Sequence, residues 1–379
     1  MRIPTVYMRG GTSKGLFFHE KDLPTDVAER DAFILAAYGS PDPYRRQIDG
    51  VGGAASSTSK VAVIGDGSAA GVDVTYEFGQ VGIDQQLIDR RGNCGNISSA
   101  VGPFAVDEGL VEAVEPVTAV RFLNTNTGKV IVAHVPVKDG KFDPAGDFEL
   151  PGVPGTAAKI QLDYLDPAGS VTGKLLPTGN AVDELDVPGI GSLQVSIVDA
   201  ANPLVFVRWE DLGLTGTELP AELDADPTFR QLVESVRARA SVLAGIAENV
   251  EDATRLAPSV PKLSIVGRSR PYKTVDGTEV AAAETSVRAA MMSMGWLHPS
   301  YPLTGAIATS VAANIPGTLV HGIAVLDGAD AVIGHPSGLL PMKVDISWDA
   351  GVCTVNSVSG FRTARRLMEG HVLVPDARL

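Results

Sequence analysis

The chain has 379 residues, 44% hydrophobic and 20% charged, with a formal net charge of −14. That length exceeds one ordinary core, so two domains are expected. The acidic balance excludes a general nucleic-acid or anionic-membrane binder, but a local lysine or helix N-terminus can still hold an anionic substrate. Two cysteines do not make a disulfide framework, and no apolar run reaches membrane-spanning length. Met1-Arg2-Ile3 begins directly on a strand-like run without a signal peptide, so the expected location is the reducing cytoplasm. Scattered glycines and prolines with abundant Val, Ile and Thr predict short strands, many turns and few helices.

Residues 3–8 read as a strand. A glycine turn follows, Arg9-Gly10-Gly11-Thr12-Ser13-Lys14-Gly15, and then a second strand from Leu16. Such a turn exposes N–H groups and the Thr12 and Ser13 hydroxyls, without the spacing of a P-loop. Residues 25–38 predict a helix, with Asp26 at its start and Gly39 at its stop. The stretch 47–60 holds three glycines and four hydroxyl residues and ends in Lys60, at the mouth of the apolar strand 61–64. A lysine so placed is either partly desolvated, which suits a general base, or snorkels to water.

After a strand at 72–78 comes Arg91-Gly92-Asn93-Cys94-Gly95-Asn96-Ile97-Ser98-Ser99. The run beyond Cys94 predicts a buried helix to about Glu108, interrupted or kinked at Pro103, with Asn93 as its N-cap. A thiol in that first turn lies at the positive end of the helix dipole, and the same N–H groups can hold a carboxylate. A structural cysteine in a tight turn fits the same residues. Residues 117–124 and 129–137 predict paired strands around an Asn-rich turn, and 158–165 another strand.

A loop-rich stretch, 166–190, marks the expected division between domains. Strands are expected at 193–198 and 204–207, then an amphipathic helix at 227–248. Residues 304–314 form a second small-residue helix, Thr304-Gly305-Ala306-Ile307-Ala308-Thr309-Ser310, echoing the one at Cys94. A helix so small-sided and apolar is expected to be surrounded by other structure. The echo predicts two similar domains, each a sheet wrapped around a central helix. Strands follow at 319–326, 330–333 and 342–348. Cys353 falls in an alternating strand and reads as core packing. The three arginines at 362–366 could bind carboxylates, although a solvated edge or subunit contact is the favoured reading.

Taken together and in order, Met8-Arg9-Gly10-Gly11-Thr12-Ser13-Lys14-Gly15, Gln47-Ile48-Asp49-Gly50, Ser59-Lys60-Val61, Gly92-Asn93-Cys94-Gly95-Asn96, Leu175-Leu176-Pro177-Thr178-Gly179, His335-Pro336-Ser337-Gly338 and Arg362-Thr363-Ala364-Arg365 resemble the PrpF family over essentially the whole chain. Its members isomerise methylaconitate, methylitaconate and oxalomesaconate. The resemblance implies an α+β, diaminopimelate epimerase-like fold with two pseudo-symmetric domains. These would be residues 1–183, joined by a returning strand within 362–379, and residues 184–361. It implies Lys60 and Cys94 as the catalytic pair. The second central helix carries Thr304 where the two-thiol epimerases carry a cysteine.

The implied chemistry is a proton shift next to a carboxylate, which needs a base, an acid and donors for the oxygens where charge develops. Lys60 is the candidate base and Cys94 the acid. Thr12, Ser13, Ser57, Asn93, Gly95, Asn96, Thr304, Gly305 and Ser310 are candidates to hold substrate. No cofactor is expected, and six scattered histidines offer no metal spacing. The expected partner is a small polycarboxylate, with neither nucleic acid nor membrane, and a homodimer is an open possibility. Two alternatives stand beside the isomerase: an amino-acid racemase or epimerase of the same fold, and a non-catalytic carboxylate-binding protein.

Overall fold

A computed structural model describes residues 1–376; the last three residues of the expected C-terminal strand, 377–379, lie outside it. The chain divides into two compact units, residues 1–162 with the C-terminal segment from Arg362, and residues 163–361.

In the first unit the strands are β1 (Arg2–Gly10), β2 (Ser13–His19), β3 (Lys60–Asp66), β4 (Val74–Val81), β5 (Ile88–Asp89), β6 (Val117–Asn124) and β7 (Lys129–Lys138). Helix α1 (Val27–Tyr38) joins β2 to β3, and α2 (Gly95–Asp107) joins β5 to β6. The C-terminal strand, Ala364–Leu373, pairs antiparallel with β1. From it the sheet runs to β1–β2, antiparallel, β2–β3, parallel, β3–β4, antiparallel, β4–β6, parallel, and β6–β7, antiparallel. Strand alternation sorts the side chains. Leu16, Phe18, Val61 and Val63 pack with Phe33, Ile34 and Tyr38 of α1. The opposite face holds α2, which touches β1, β2, β3, β6 and β7 and is buried from Gly95 to Val106. Lys60 shares that inner parity with Ala62 and Ile64.

The second unit repeats the plan. Its strands are β8 (Asp183–Val187), β9 (Gly191–Ala200), β10 (Asn202–Arg208), β11 (Lys262–Gly267), β12 (Val287–Ser293), β13 (Ala331–His335), β14 (Gly338–Asp349) and β15 (Val352–Arg362). Along β8 to β14 the neighbours are antiparallel, antiparallel, parallel, antiparallel, parallel, antiparallel, the same order as in the first unit. Helix α3 (Pro227–Leu243) covers the outer face through Phe229, Val233, Val236 and Ala240. Helix α4 (Leu303–Asn314), buried from Leu303 to Ala313, lies against β9, β10, β13 and β14. Each large aliphatic side chain buried on such a face contributes about 1.5–3 kcal/mol, which offsets the poor anchoring of two helices built from small residues.

Several expectations are corrected. The division falls at Leu162, before the loop-rich stretch, because that stretch is tied to the second unit. Asp199 accepts from the backbone N–H groups of Ser170, Val171 and Thr172. Within 166–190 lies the strand β8. Residues 319–323 are turns and 324–326 have no regular structure; the single proton of Thr318 Oγ1 is shared between the Ala312 and Ile315 carbonyls ahead of them. Helix α2 runs unbroken through Pro103. Cys353 is only half-buried, because β15 exposes both of its faces near the β14 turn. The tail arginines divide: Arg365 is exposed, whereas Arg362 is 2% exposed.

Candidate active site

The site is built on the start of α2. Cys94 is the residue flanking the helix, in extended conformation, and no side chain caps the first turn. The expected cap, Asn93, lies one residue earlier; its Oδ1 accepts from Ser98 Oγ at 3.2 Å. The first N–H groups of a helix have no intrahelical acceptor and carry the positive end of its dipole, so α2 presents an anion-favouring mouth beside a thiol. Cys94 itself is buried, at 8% exposure.

The β1–β2 turn closes over this mouth and explains its glycines. A Cβ on Gly10 would overlap the Asn96 carbonyl oxygen, and Gly11, at φ +51°, faces the Asn96 side chain. Asn96 Nδ2 donates to Thr12 Oγ1 at 2.9 Å and lies 3.4 Å from Ser13 Oγ, while its Oδ1 accepts from Arg362 Nε at 3.0 Å. The side chain of Asn96 is therefore a brace between the turn and Arg362, just ahead of the C-terminal strand. Arg9 supports the same turn, donating to the Gly11 and Thr363 carbonyls and to Thr363 Oγ1.

Lys60 opens β3 and is buried, at 8% exposure. Its Nζ donates to Gln80 Oε1 at 2.5 Å and lies 5.2 Å from the centre of the Phe78 ring, with Cys94 as its electrostatic neighbour. Burial pushes the Lys60 pKa below the ordinary lysine value, and the neighbouring Cys94 partly opposes that shift. Backbone contacts fix the base of the side chain. Gly15 stands opposite Lys60 in the parallel β2–β3 pair, where any Cβ would overlap the Lys60 carbonyl oxygen. The space is used by Tyr38, whose hydroxyl donates to that oxygen and accepts from Leu16 N–H. Burial holds the Tyr38 phenol far above its usual range, so it acts as a neutral peg.

Lys60, Cys94, Asn93, Gly95, Asn96, Thr12 and Ser13 thus come together within the first unit. Ser57 is half-buried in the short helical turn Ser56–Thr58, just ahead of Lys60. The candidates in the second unit are arranged differently from the expectation. Leu303, not Thr304, is the first residue of α4, and Pro302 flanks it. Thr304 Oγ1 is 3.4 Å from Asn202 Nδ2, and Gly305 packs against the methyl of Met291. Ser310 is fully buried and donates back to the Ala306 carbonyl, so it is a helix-interior hydroxyl.

Three residues were missed. Gln80, the acceptor for Lys60, is buried next to the end of β4, an apparently ordinary strand. Arg362 was read as edge charge, although it lies in the motif Arg362-Thr363-Ala364-Arg365. Gln47 is 1% exposed; its Oε1 accepts from Ala54 N–H and Ser59 Oγ, which shapes the loop before Lys60. The signal for Gln47 was its place at the head of a glycine-rich loop. Gln80 had no local signal, because its role comes from the β3–β4 register. Among the described residues no group of three or more His, Cys, Asp or Glu side chains is placed to hold a metal ion, and no helix is long and apolar enough to cross a membrane.

A desolvated lysine against a thiol at an open helix mouth, on a duplicated sheet-around-helix frame, defines an isomerase of the diaminopimelate epimerase-like fold. The model of the PrpF protein family matches residues 1–375, and the chain belongs to that family. It is 44% identical over 382 residues to the 3-methylitaconate isomerase of Eubacterium barkeri, covering 100% of this chain and 99% of that one. It is 42% identical over 388 residues to the 2-methyl-aconitate isomerase of Shewanella oneidensis, covering 99% and 97%. A crystal structure of methylitaconate-delta-isomerase matches with a TM-score of 0.79 at 43% identity, covering 100% of this chain and 97% of that one. A hydroxyproline epimerase from Agrobacterium vitis, at 13% identity and TM-score 0.57, covering 99% and 94%, shares the fold alone.

Proposed function

We propose that this isomerase shifts a proton along the allylic system of an unsaturated di- or tricarboxylate, with Lys60 as the base and Cys94 as the partner acid. The observation that carries the reading is a lysine and a cysteine, both buried, with the Lys60 amine as electrostatic neighbour of the Cys94 thiol at an uncapped helix start. Burial favours the neutral amine, which is the form that accepts a proton. Removing an allylic proton spreads charge into the carboxylate as a dienolate. The Gly95 and Asn96 N–H groups at the mouth of α2 are the donors suited to that charge. Return of a proton at the far carbon moves the double bond; return after rotation changes its geometry. Methylitaconate and methylaconitate, named for the two relatives above, are the first substrates to try. Racemisation is disfavoured because α4 begins Leu303-Thr304 and offers no second thiol.

The test is deuterium uptake from D₂O into methylitaconate, methylaconitate, aconitate and oxalomesaconate, followed by product identification. Wild-type protein exchanges at least one of them. Lys60→Met and Cys94→Ala each lose about 10²–10⁴-fold, the usual worth of a positioned acid or base. Full exchange in either variant removes that residue from the chemistry. Binding of these acids with no exchange at any position would make the protein a carboxylate binder instead.

A further inference from the structure

Gln80 is 4% exposed and stands directly opposite Lys60 in the antiparallel β3–β4 pair, so both side chains project from the same face. Its amide has one possible orientation. Nε2 donates to the Ser56 carbonyl at 3.2 Å and the Ser59 carbonyl at 3.0 Å. Rotating the amide by 180° would set its oxygen against two carbonyls and its NH₂ against the lysine amine. Oε1 is thereby committed to Lys60 Nζ, at 2.5 Å. The two carbonyls that lock the amide belong to the turn that delivers Lys60, so the loop, the amide and the amine form one unit.

We propose that Gln80 is the positioning residue of the catalytic lysine: its locked carbonyl takes one Nζ–H and so sets the direction in which the amine receives the substrate proton. The proposal rests on Lys60 as the base. The chemistry asks for an acceptor of this kind. An uncharged oxygen orients an amine through one N–H and favours the ammonium only weakly, whereas a carboxylate at the same place would stabilise the ammonium strongly and retain its proton. Among the described residues no carboxylate is paired with Lys60. The groups around it are the Cys94 thiol from α2, the Phe78 ring from β4, and the neutral Tyr38 hydroxyl on the Lys60 carbonyl from α1. The nearest acid in register is Asp89 on β5, opposite Gln80; its Oδ1 accepts from Arg91 N–H.

The experiment compares pH profiles of kcat/KM for wild type, Gln80→Glu and Gln80→Leu, with Lys60→Met as the control for the base. In Gln80→Glu the new carboxylate favours ammonium, so the acid limb moves to higher pH by about one unit or more. Activity lost at neutral pH returns under alkaline conditions. In Gln80→Leu the ammonium loses its acceptor, so the limb moves to lower pH, and kcat falls roughly 10–100-fold while KM changes little. A purely structural role would lower the yield of folded protein without moving either limb. If one variant does not fold, the other still gives a signed shift, upward for Glu and downward for Leu. Profiles that superimpose on wild type overturn the proposal. The outcomes separate the two readings: exchange retained in Lys60→Met sinks the base assignment, while exchange lost there with unmoved Gln80 profiles sinks only the role of Gln80.

Discussion

At one corner of the first unit, Lys60 opens β3 opposite Gln80, with the start of α2 beside it. At the corresponding corner of the second unit, Lys262 opens β11, which pairs in parallel with β10 as β3 does with β2. One register step beyond the Leu263–Met292 pair, the residue in the place of Gln80 is Ser293. Lys262 is half-buried, and its Nζ donates to the Ser259 carbonyl at 3.2 Å. The inner helix of that unit, α4, begins Leu303-Thr304, with no thiol. Both corners thus have a lysine at the head of the same strand of the same plan. Of the two, Lys60 is the one that is buried, neighbours a thiol and donates to a locked amide. The frame demands buried small-residue helices and strand pairing, and it is met twice. The chemistry proposed above draws on three side chains, and that set is met once.

The largest expected contrast is between the two lysines. Lys60→Met should lose about 10²–10⁴-fold in turnover, whereas Lys262→Met should stay within about threefold of wild type, as expected for a surface-side substitution. Steady-state isomerisation of the preferred substrate measures both. Equal losses would mean that the second corner is also chemical and would dissolve the distinction.

Next in size are two glycines that close the corners. Gly15→Ala drives a Cβ into the Lys60 carbonyl, which is backbone, and displaces the Tyr38 hydroxyl from it. A cost of about 3 kcal/mol or more is expected, as for overpacking with a lost buried hydrogen bond. Gly305→Ala meets instead the terminal methyl of Met291, a flexible side chain that can turn aside. Its cost should be about 1–2 kcal/mol. Urea denaturation of the two variants gives the order directly, and a larger loss at Gly305 would show that the second helix is the more tightly fitted.

The way these features could be seen from sequence follows the same division. Periodicity and small-residue composition are local, so both central helices, the Cys94 turn and the β6–β7 pair were legible. The repeat of the domain was legible from one echo, Thr304-Gly305-Ala306 against Cys94-Gly95-Asn96. Gln80 was not, because only the β3–β4 register brings it to Lys60, twenty residues earlier. Arg362 reads as a solvated charge because charge near a terminus usually means solvent, whereas here the end of β15, just ahead of the strand that returns beside β1, carries that guanidinium to Asn96. The segment 319–326 was taken for a strand on its apolar content; the Thr318 hydroxyl instead satisfies helix-end carbonyls and turns the chain.

The smallest effect tests whether the first corner is strained by its own chemistry. Burial holds the Lys60 pKa below the ordinary value, which is about 10.4 in an unfolded chain. Below the folded-state pKa both states carry the proton, and the folded state bears the full cost of a buried ammonium. Between the two pKa values the unfolded chain keeps a proton that the folded chain has released, so stability rises with pH. Above the ordinary value the cost is gone. Lys60→Met has no such charge. Compared in a Cys94→Ala background, which removes the neighbouring thiol, it should gain stability over its lysine parent at neutral pH. That advantage should shrink as pH climbs toward about 10.4. Loss of the donor to Gln80 Oε1 subtracts about 1 kcal/mol at every pH, so the diagnostic is the slope of the difference, read from urea midpoints across the pH series. A difference that does not change with pH would mean that Lys60 is hydrated in solution, and the contrast with Lys262 would then rest on the thiol and the amide alone.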